Sequence, residues 1–417
     1  MTKTEIIAAA YRAWGRELYL TTSLSDVARE LKVCKPALYR HFLCKDALLE
    51  AMGRQFFDHF AAFIQADYEK ALKNNDAGES IFMLIRSIAE YYVRNPDLFI
   101  YSMTKLHDRR LNNFAMMEEL CVRGIDFEYF HKSISASYYF EPLVMRLIFA
   151  TLTFFMAGFH KERAHAKNPP DETAVSGIIG AIERITGGGI GYGSAEIEGL
   201  DFERLESRIA GTAGAIEDDP LLKAVAGAVA ETGPWEASME QVARRSGLAK
   251  SSLYGHFKSK QDMLFQLFRT ESLRIIGFAK QGIQQSDAPL EQLYLCIFSI
   301  AEYLRSRPDF LVALDWIRNR RLNFAPPGSA AKGPPVEYLQ IFQGIDIKPL
   351  QKDDSPFRGL GPQDEAENSC ISPWICFLTV KTLMNTKPEQ ALGDVPNSHI
   401  RTLYRFATTG IGGFKIK

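Results

Sequence analysis

Apolar residues recur three and four positions apart over residues 81–93 and 290–304, the period of a helix that buries one face. Stretches of strict alternation bounded by hairpin turns are missing, so the expected fold is all-α. The most apolar run, residues 143–159, is interrupted by Arg146 and softened by Thr151 and Thr153. It falls short of the ~20 clean apolar residues of a spanning helix and predicts a buried helix, with no membrane as partner.

Helix boundaries are sharpest around residues 23 and 238. Ser238, followed three residues later by Gln241, forms a capping box that starts a helix at about Met239. That helix runs through Val242, Ala243, Arg244 and Arg245 and stops at Gly247, which adopts positive φ readily. A second helix begins almost at once with Lys250. The earlier segment repeats the scheme, with Ser23 as cap, Val27 to Leu31 in the first helix and Pro36 to Phe42 in the second. Pro36 is tolerated because the first turn of a helix has no amide bond to lose. Two short helices around a tight turn make a helix-turn-helix, whose second helix can enter a major groove.

The repetition extends well beyond this motif. Residues 23–49 read SLSDVARELKVCKPALYRHFLCKDALL and residues 238–264 read SMEQVARRSGLAKSSLYGHFKSKQDML, a shift of 215. SIAEY at 87–91 recurs at 299–303, and RRLN at 109–112 recurs at 320–323, shifts of 212 and 211. So small a drift over so long a stretch marks the duplication of a whole domain. The join falls after Thr186, where Gly187, Gly188, Gly189, Gly191 and Gly193 end a helical pattern. A phosphate-cradling loop would need a preceding strand, so a helix stop and linker is the expectation. The resulting division is a helix-turn-helix domain at 1–50, a larger helical domain at 51–188 and a linker at 189–216. A second helix-turn-helix domain follows at 217–265 and a second larger helical domain at 266–417. Residues 325–370, rich in Pro, Gly and charge, are expected as a long loop or disordered insertion.

Composition narrows the classes. A hydrophobic fraction of 46% and a charged fraction of 24% are globular averages, which excludes wholesale disorder. The net charge of −1 gives the chain no overall attraction for nucleic acid, so any such case must be local. It is met locally: residues 24–45 hold five basic and two acidic side chains, and residues 239–260 five and one. The six cysteines are scattered without a CxxC pair, and the N-terminus lacks a signal core, so a reducing, cytoplasmic setting is expected.

The stretch at 238–264, with its Ser cap, Val-Ala pair, Gly turn, Leu-Tyr-x-His-Phe and Ser-Lys, resembles the DNA-binding domain of the TetR family, and the stretch at 23–49 does so with departures. The resemblance covers essentially the whole chain apart from 325–370. It implies two tandem units, each a three-helix DNA-binding domain backed by a helical ligand-binding and dimerisation domain. The implied function is a repressor that binds double-stranded operator DNA and is released by a small hydrophobic or aromatic effector. In this resemblance Tyr39 and Tyr254 face phosphates, and His41 and His256 touch the backbone. Lys45 and Lys260 open the following helix, where ammonium and helix N-terminus share a phosphate. Lys35, Ala37, Arg40, Lys250, Ser251 and Ser252 are candidates for the DNA face, most of them for base edges. Leu38, Leu253, Phe42 and Phe257 read as core of the small domains.

The departures carry expectations of their own. Lys32 stands where the second copy has Gly247, predicting a strained or reshaped turn. Arg40 faces Gly255, predicting an operator with two unequal half-sites. Cys34 and Cys44 stand at helix starts where Ser is usual; a lowered thiol pKa would make a redox sensor. With no resolving partner evident, simple replacement is the plainer reading.

On the ligand side, an aromatic-rich first body offers Tyr92, Phe127, Phe154 and Phe155 as pocket walls, with His107, Arg109 or His131 for polarity. The histidines lack metal-ligand spacing, and no cofactor is expected. Without a nucleophile elbow, phosphate loop or metal cluster, an enzyme is not expected. Family-style pairing would use 142–162 with 171–186 and 371–386 with 398–410, giving a single-chain pseudo-dimer, with a further homodimer left open. The alternative is a partly decayed regulator in which one head has lost DNA binding and serves as an interaction module.

Overall fold

The computed structural model describes residues 2–17, 23–103, 113–135, 137–138, 142–163, 168–211, 219–234, 236–319, 366–384 and 392–416. Among these the chain is helical throughout, with no strand. It divides into two compact units. The first comprises residues 1–139, 156–183 and 416–417; the second comprises 140–155 and 184–415.

In the first unit, α1 (Lys3–Glu17), α2 (Leu24–Glu30) and α3 (Lys35–Tyr39) form a small head. The 29-residue α4 (Lys45–Lys73) leads from it into a body of α5 (Ala77–Arg94), α6 (Pro96–Tyr101), α7 (Asn113–Cys121) and α8 (Phe127–Ile134). Asp76 caps α5 by accepting from the amides of Gly78 and Glu79, and Pro96 opens α6 at a position with no amide to lose. Helix α9 (Pro142–Glu162) divides its residues between the units, and α10 (Glu172–Gly188) follows.

The second unit repeats the head as α13 (Pro220–Thr232), α14 (Met239–Ser246) and α15 (Lys250–His256). Its body is α16 (Lys260–Ile283), α17 (Pro289–Arg305), α18 (Pro308–Asn319), α19 (Ala366–Leu383) and α20 (Asn397–Thr409), closed by a 3₁₀ turn over Gly410–Phe414. The apolar run at 143–159 lies in α9. Its 142–160 window is long and apolar enough to cross a membrane, with mean hydropathy 1.7, yet half of that window is buried inside the protein. Leu147, Ile148, Leu152 and Phe155 are among the residues it buries, as a core helix does.

Residues 189–216, expected as a linker, hold two short helices in their described part, α11 (Ser194–Glu198) and α12 (Phe202–Ser207). The glycines ahead of them serve a close backbone approach. The amides of Ile190 and Tyr192 donate to the carbonyls of Ala407 and Thr408 at 2.9 and 3.0 Å, and a Cβ on Gly189 would stand 2.5 Å from the Ala407 oxygen. Helix α12 is then pinned by a buried carboxylate. Glu206, 7% exposed, accepts from Arg401 at 2.7 and 3.0 Å, from the Tyr294 hydroxyl at 2.6 Å and from Asn397 at 2.7 Å. Burial alone would raise its pKa, but these hydrogen bonds outweigh burial and hold it below the usual carboxylate range. Of the expected insertion at 325–370, residues 366–370 form the first turn and more of α19, and 325–365 lie outside the described residues.

Candidate nucleic-acid interface

The second head is built as its sequence dictates. Ser238 Oγ accepts from the Gln241 amide at 3.2 Å while Gln241 Oε1 accepts from the Ser238 amide at 2.7 Å, closing the capping box. Helix α14 ends at Gly247 with φ 70°, the left-handed cap that glycine adopts without penalty. Leu253 and Phe257, both essentially buried, seat α15 on the head. The opposite face then presents Lys250, Ser251, Ser252, Tyr254 and His256, all exposed. Tyr254 is 55% exposed, far more than a tyrosine with a purely packing role needs. Ser259 caps α16 by accepting from the Asp262 amide at 3.1 Å, and half-buried Lys260 begins that helix. Burial lowers the pKa of the Lys260 ammonium, with Glu236 opposing the shift.

The first head has the same plan with weaker joints. Ser23 and Asp26 form its capping box, Asp26 Oδ2 accepting from the Ser23 amide at 2.7 Å. That hydrogen bond holds the Asp26 carboxyl below its usual range. Leu38 and Phe42 are buried, and Lys3 lies 5.8 Å over the Phe42 ring. Lys35, Tyr39 and Arg40 are exposed on α3 and its C-cap; Ala37, His41 and Lys45 are half-buried. Lys35 Nζ sits 6.0 Å over the Tyr39 ring. All twelve sequence-proposed DNA residues therefore fall on α3, α15, the turns that follow them or the first residue of the next helix, six per head. Cys34 and Cys44 are the N-caps of α3 and α4, exposed and without a capping hydrogen bond. Lys32 takes φ 56°, a left-handed conformation on a residue with a Cβ.

The proposed ligand residues are not gathered at one described site. Tyr92 is half-buried among Phe60, Tyr91 and Phe99, its carbonyl accepting from His160 Nε2 at 2.9 Å. Burial pushes its hydroxyl to about 12, against a hydrogen bond from Ser102. Phe127 packs on Tyr68. Phe154 and Phe155 belong instead to the second unit, where Phe154 meets Phe377 at 5.7 Å and Phe155 meets Trp374 at 6.4 Å. The reason is geometric: α9 is one helix whose first part is core to a different unit from its last. His107 and Arg109 lie outside the described residues.

Sequence reading missed the clamps that tie each head together. In the first copy Arg12 of α1 pairs with Glu30 of α2 at 3.2 Å; in the second Glu231 of α13 pairs with Arg245 of α14 at 2.7 Å. The signal was the charge reversal at aligned positions 30 and 245.

Two helix-turn-helix heads, each continued by a long helix into a helical body, define a two-headed DNA-binding regulator by architecture. The chain matches the family of bacterial regulatory proteins, tetR family, twice, over residues 6–52 and 221–267. The chain thus carries the N-terminal domain of that family in tandem. Over 77 residues it is 27% identical to the fatty acid metabolism regulator protein of Bacillus subtilis (strain 168), covering 18% of this chain and 40% of that protein. The match thus spans about two fifths of the relative's length.

Proposed function

We propose that the chain is a transcriptional repressor that grips double-stranded operator DNA with both heads and lets go when a small hydrophobic or aromatic effector enters a helical body. The observation that carries this reading is the pair of exposed, locally basic recognition faces on α3 and α15, each followed by a lysine at the start of the next helix. Phosphate attraction needs such a face even on a neutral chain. The two copies pair within one polypeptide. In support, residues 142–155 of the first copy are core of the second unit, where Trp374 Nε1 donates to Thr151 Oγ1 at 3.2 Å. Effective concentration then replaces association. Control of fatty acid metabolism, the role printed for the relative, agrees with a lipophilic effector.

Light scattering on the purified chain, followed by titration with the DNA upstream of its own gene, tests this. One chain per DNA, with affinity falling steeply as salt rises, is the expected result. Two chains per DNA, or no binding, overturns it.

A second reading, one working head and one decayed, is favoured by the first head's defects: Lys32 at φ 56°, uncapped Cys44, and Leu43 standing 88% exposed where the second copy has Lys258. Lys45→Glu and Lys260→Glu, measured separately, distinguish the two. Comparable losses of DNA affinity support two working heads; a loss from Lys260→Glu alone supports the second reading.

A further inference from the structure

The head clamps exchange charges between the copies, and a second exchange lies beside the recognition helices. In the second head, Lys258 follows the buried Phe257 and stands exposed in the turn between α15 and α16. Leu43 holds that position in the first head, 88% exposed, so the turn there offers no cation. A cation reaches the same corner from another helix. Lys3, the first residue of α1, is exposed and carries its ammonium 5.8 Å over the ring of Phe42, the residue immediately before Leu43. The shift of 215 aligns Lys3 with Asp218, which lies outside the described residues. At these two aligned places one head reads lysine and leucine, the other aspartate and lysine. Each head thus keeps one lysine beside the same phenylalanine.

Packing does not account for a charge at this place. A lysine covers a ring with its methylene stem and leaves the charged end in water, so a neutral side chain of like length would cover Phe42 as well. Neither Lys3 nor Lys258 has an ion pair among the described residues. The carboxylates next to them in sequence hold backbone instead. Glu5 accepts from the Thr2 amide at 2.7 Å while Thr2 Oγ1 accepts from the Glu5 amide at 3.2 Å, a reciprocal cap on α1. Asp262 accepts from the amide of Lys258 at 2.8 Å and from that of no other lysine. Both ammonium groups therefore face water next to the residues proposed to hold DNA: Phe42 lies between His41 and Lys45, and Phe257 between His256 and Lys260.

We propose, resting on the DNA-binding reading above, that Lys3 and Lys258 are matching phosphate-binding residues. Each gives its head one further contact to the DNA backbone, from α1 in the first head and from the turn after the recognition helix in the second. Such an exchange is open to lysine because its ammonium is a point charge on a flexible stem and needs no fixed approach to a phosphate. What counts is where the charge arrives, not which element sends it. The first head has then lost no backbone contact by carrying Leu43, which weighs against its decay.

Fluorescence anisotropy of the full chain with a labelled duplex of the DNA upstream of its own gene, read over a series of salt concentrations, tests this. The slope of log affinity against log salt reports about 0.9 for each phosphate neutralised. Lys3→Gln and Lys258→Gln are each expected to flatten it by about 0.9. Leu43→Lys added to Lys3→Gln is expected to restore the native slope, because it moves the cation to the place it holds in the second head. Lys280→Gln removes the same charge from the far end of α16, about 30 Å along that helix from Lys260 and beyond the reach of screened charges, and is expected to leave the slope unchanged. A slope untouched by either head variant overturns the proposal, since a lysine that only packs on its neighbour would behave so. Equal flattening by Lys280→Gln overturns it too, making the effect one of net charge. If the native chain does not bind the duplex, the operator reading falls and this inference with it; a steep native slope that ignores Lys3 sinks this inference alone.

Discussion

Lys32 is the sole non-glycine residue with positive φ among the described residues, at 56°, and its counterpart Gly247 sits at 70°. Both end the first helix of a helix-turn-helix, where the chain must reverse before the recognition helix. A residue with a Cβ pays roughly 1–2 kcal/mol for the left-handed conformation, and glycine returns about 0.5–1 kcal/mol through its freer unfolded chain. Lys32→Gly is therefore expected to stabilise the first head by about 0.5–1 kcal/mol. Two-state unfolding does not apply to a chain with several domains, so the proper readout is local: amide hydrogen exchange over residues 24–42. Protection there should rise by about two- to fivefold, the range that energy gives in an opening equilibrium. Lys32→Ala should gain nothing, since alanine carries the same Cβ. The reciprocal Gly247→Ala isolates the backbone, because a Cβ at that position meets nothing within 4 Å. It should lower protection over 239–257 by a similar factor. If Lys32→Ala gains as much as Lys32→Gly, the lysine side chain and not the backbone sets the strain, and the reasoning fails.

Cys44→Ser should restore the cap that Ser259 provides in the second copy and stabilise the start of α4 by about 1 kcal/mol, read as slower exchange over its first turn. Glu206→Gln should loosen α12, with exchange over 202–207 accelerated about tenfold or more at neutral pH, as loss of a charged hydrogen-bond partner implies. The pH dependence follows from the same group. Its folded pKa is depressed below the ordinary 4.5, so its contribution is present above that value and lost as pH falls through the lower folded one. Intrinsic-rate-corrected protection of α12 in the native chain should hold from neutrality to about pH 5 and decline below 4, and the glutamine variant should show no such decline. Arg40 and Leu43 face Gly255 and Lys258 across the repeat, so symmetrised operators built from the left and right half-sites should bind with unequal affinity. Equal affinities would refute unequal reading by the two heads.

The heads were legible because each of their determinants is local. A Ser three residues before Gln, a glycine after an apolar run and an aromatic pair at fixed spacing act within a turn or two of themselves, and the repeat confirmed each against the other. The linker was not, because its order comes from afar: Glu206 finds its partners at 294, 397 and 401, and Gly189, at φ 58°, also has the backbone of residues 407, 408 and 410 against it. Nothing within residues 189–216 announces those neighbours. The ligand list failed to converge for a related reason. Aromatic density marks burial in general, and no local pattern tells that Phe154 and Phe155 turn toward Trp374 and Phe377 while Tyr92 stays among Phe60 and Phe99.

Fusion also explains why the copies could drift apart. In a symmetric homodimer every substitution appears on both sides of the axis, so an interface or a head changes in pairs or not at all. A duplicated chain has no such constraint, and the tether keeps the second copy at high effective concentration even as one contact weakens. The head clamps carry the mark of this freedom. Arg12 with Glu30 and Glu231 with Arg245 join the same two helices with the charges exchanged, so each copy was compensated within itself.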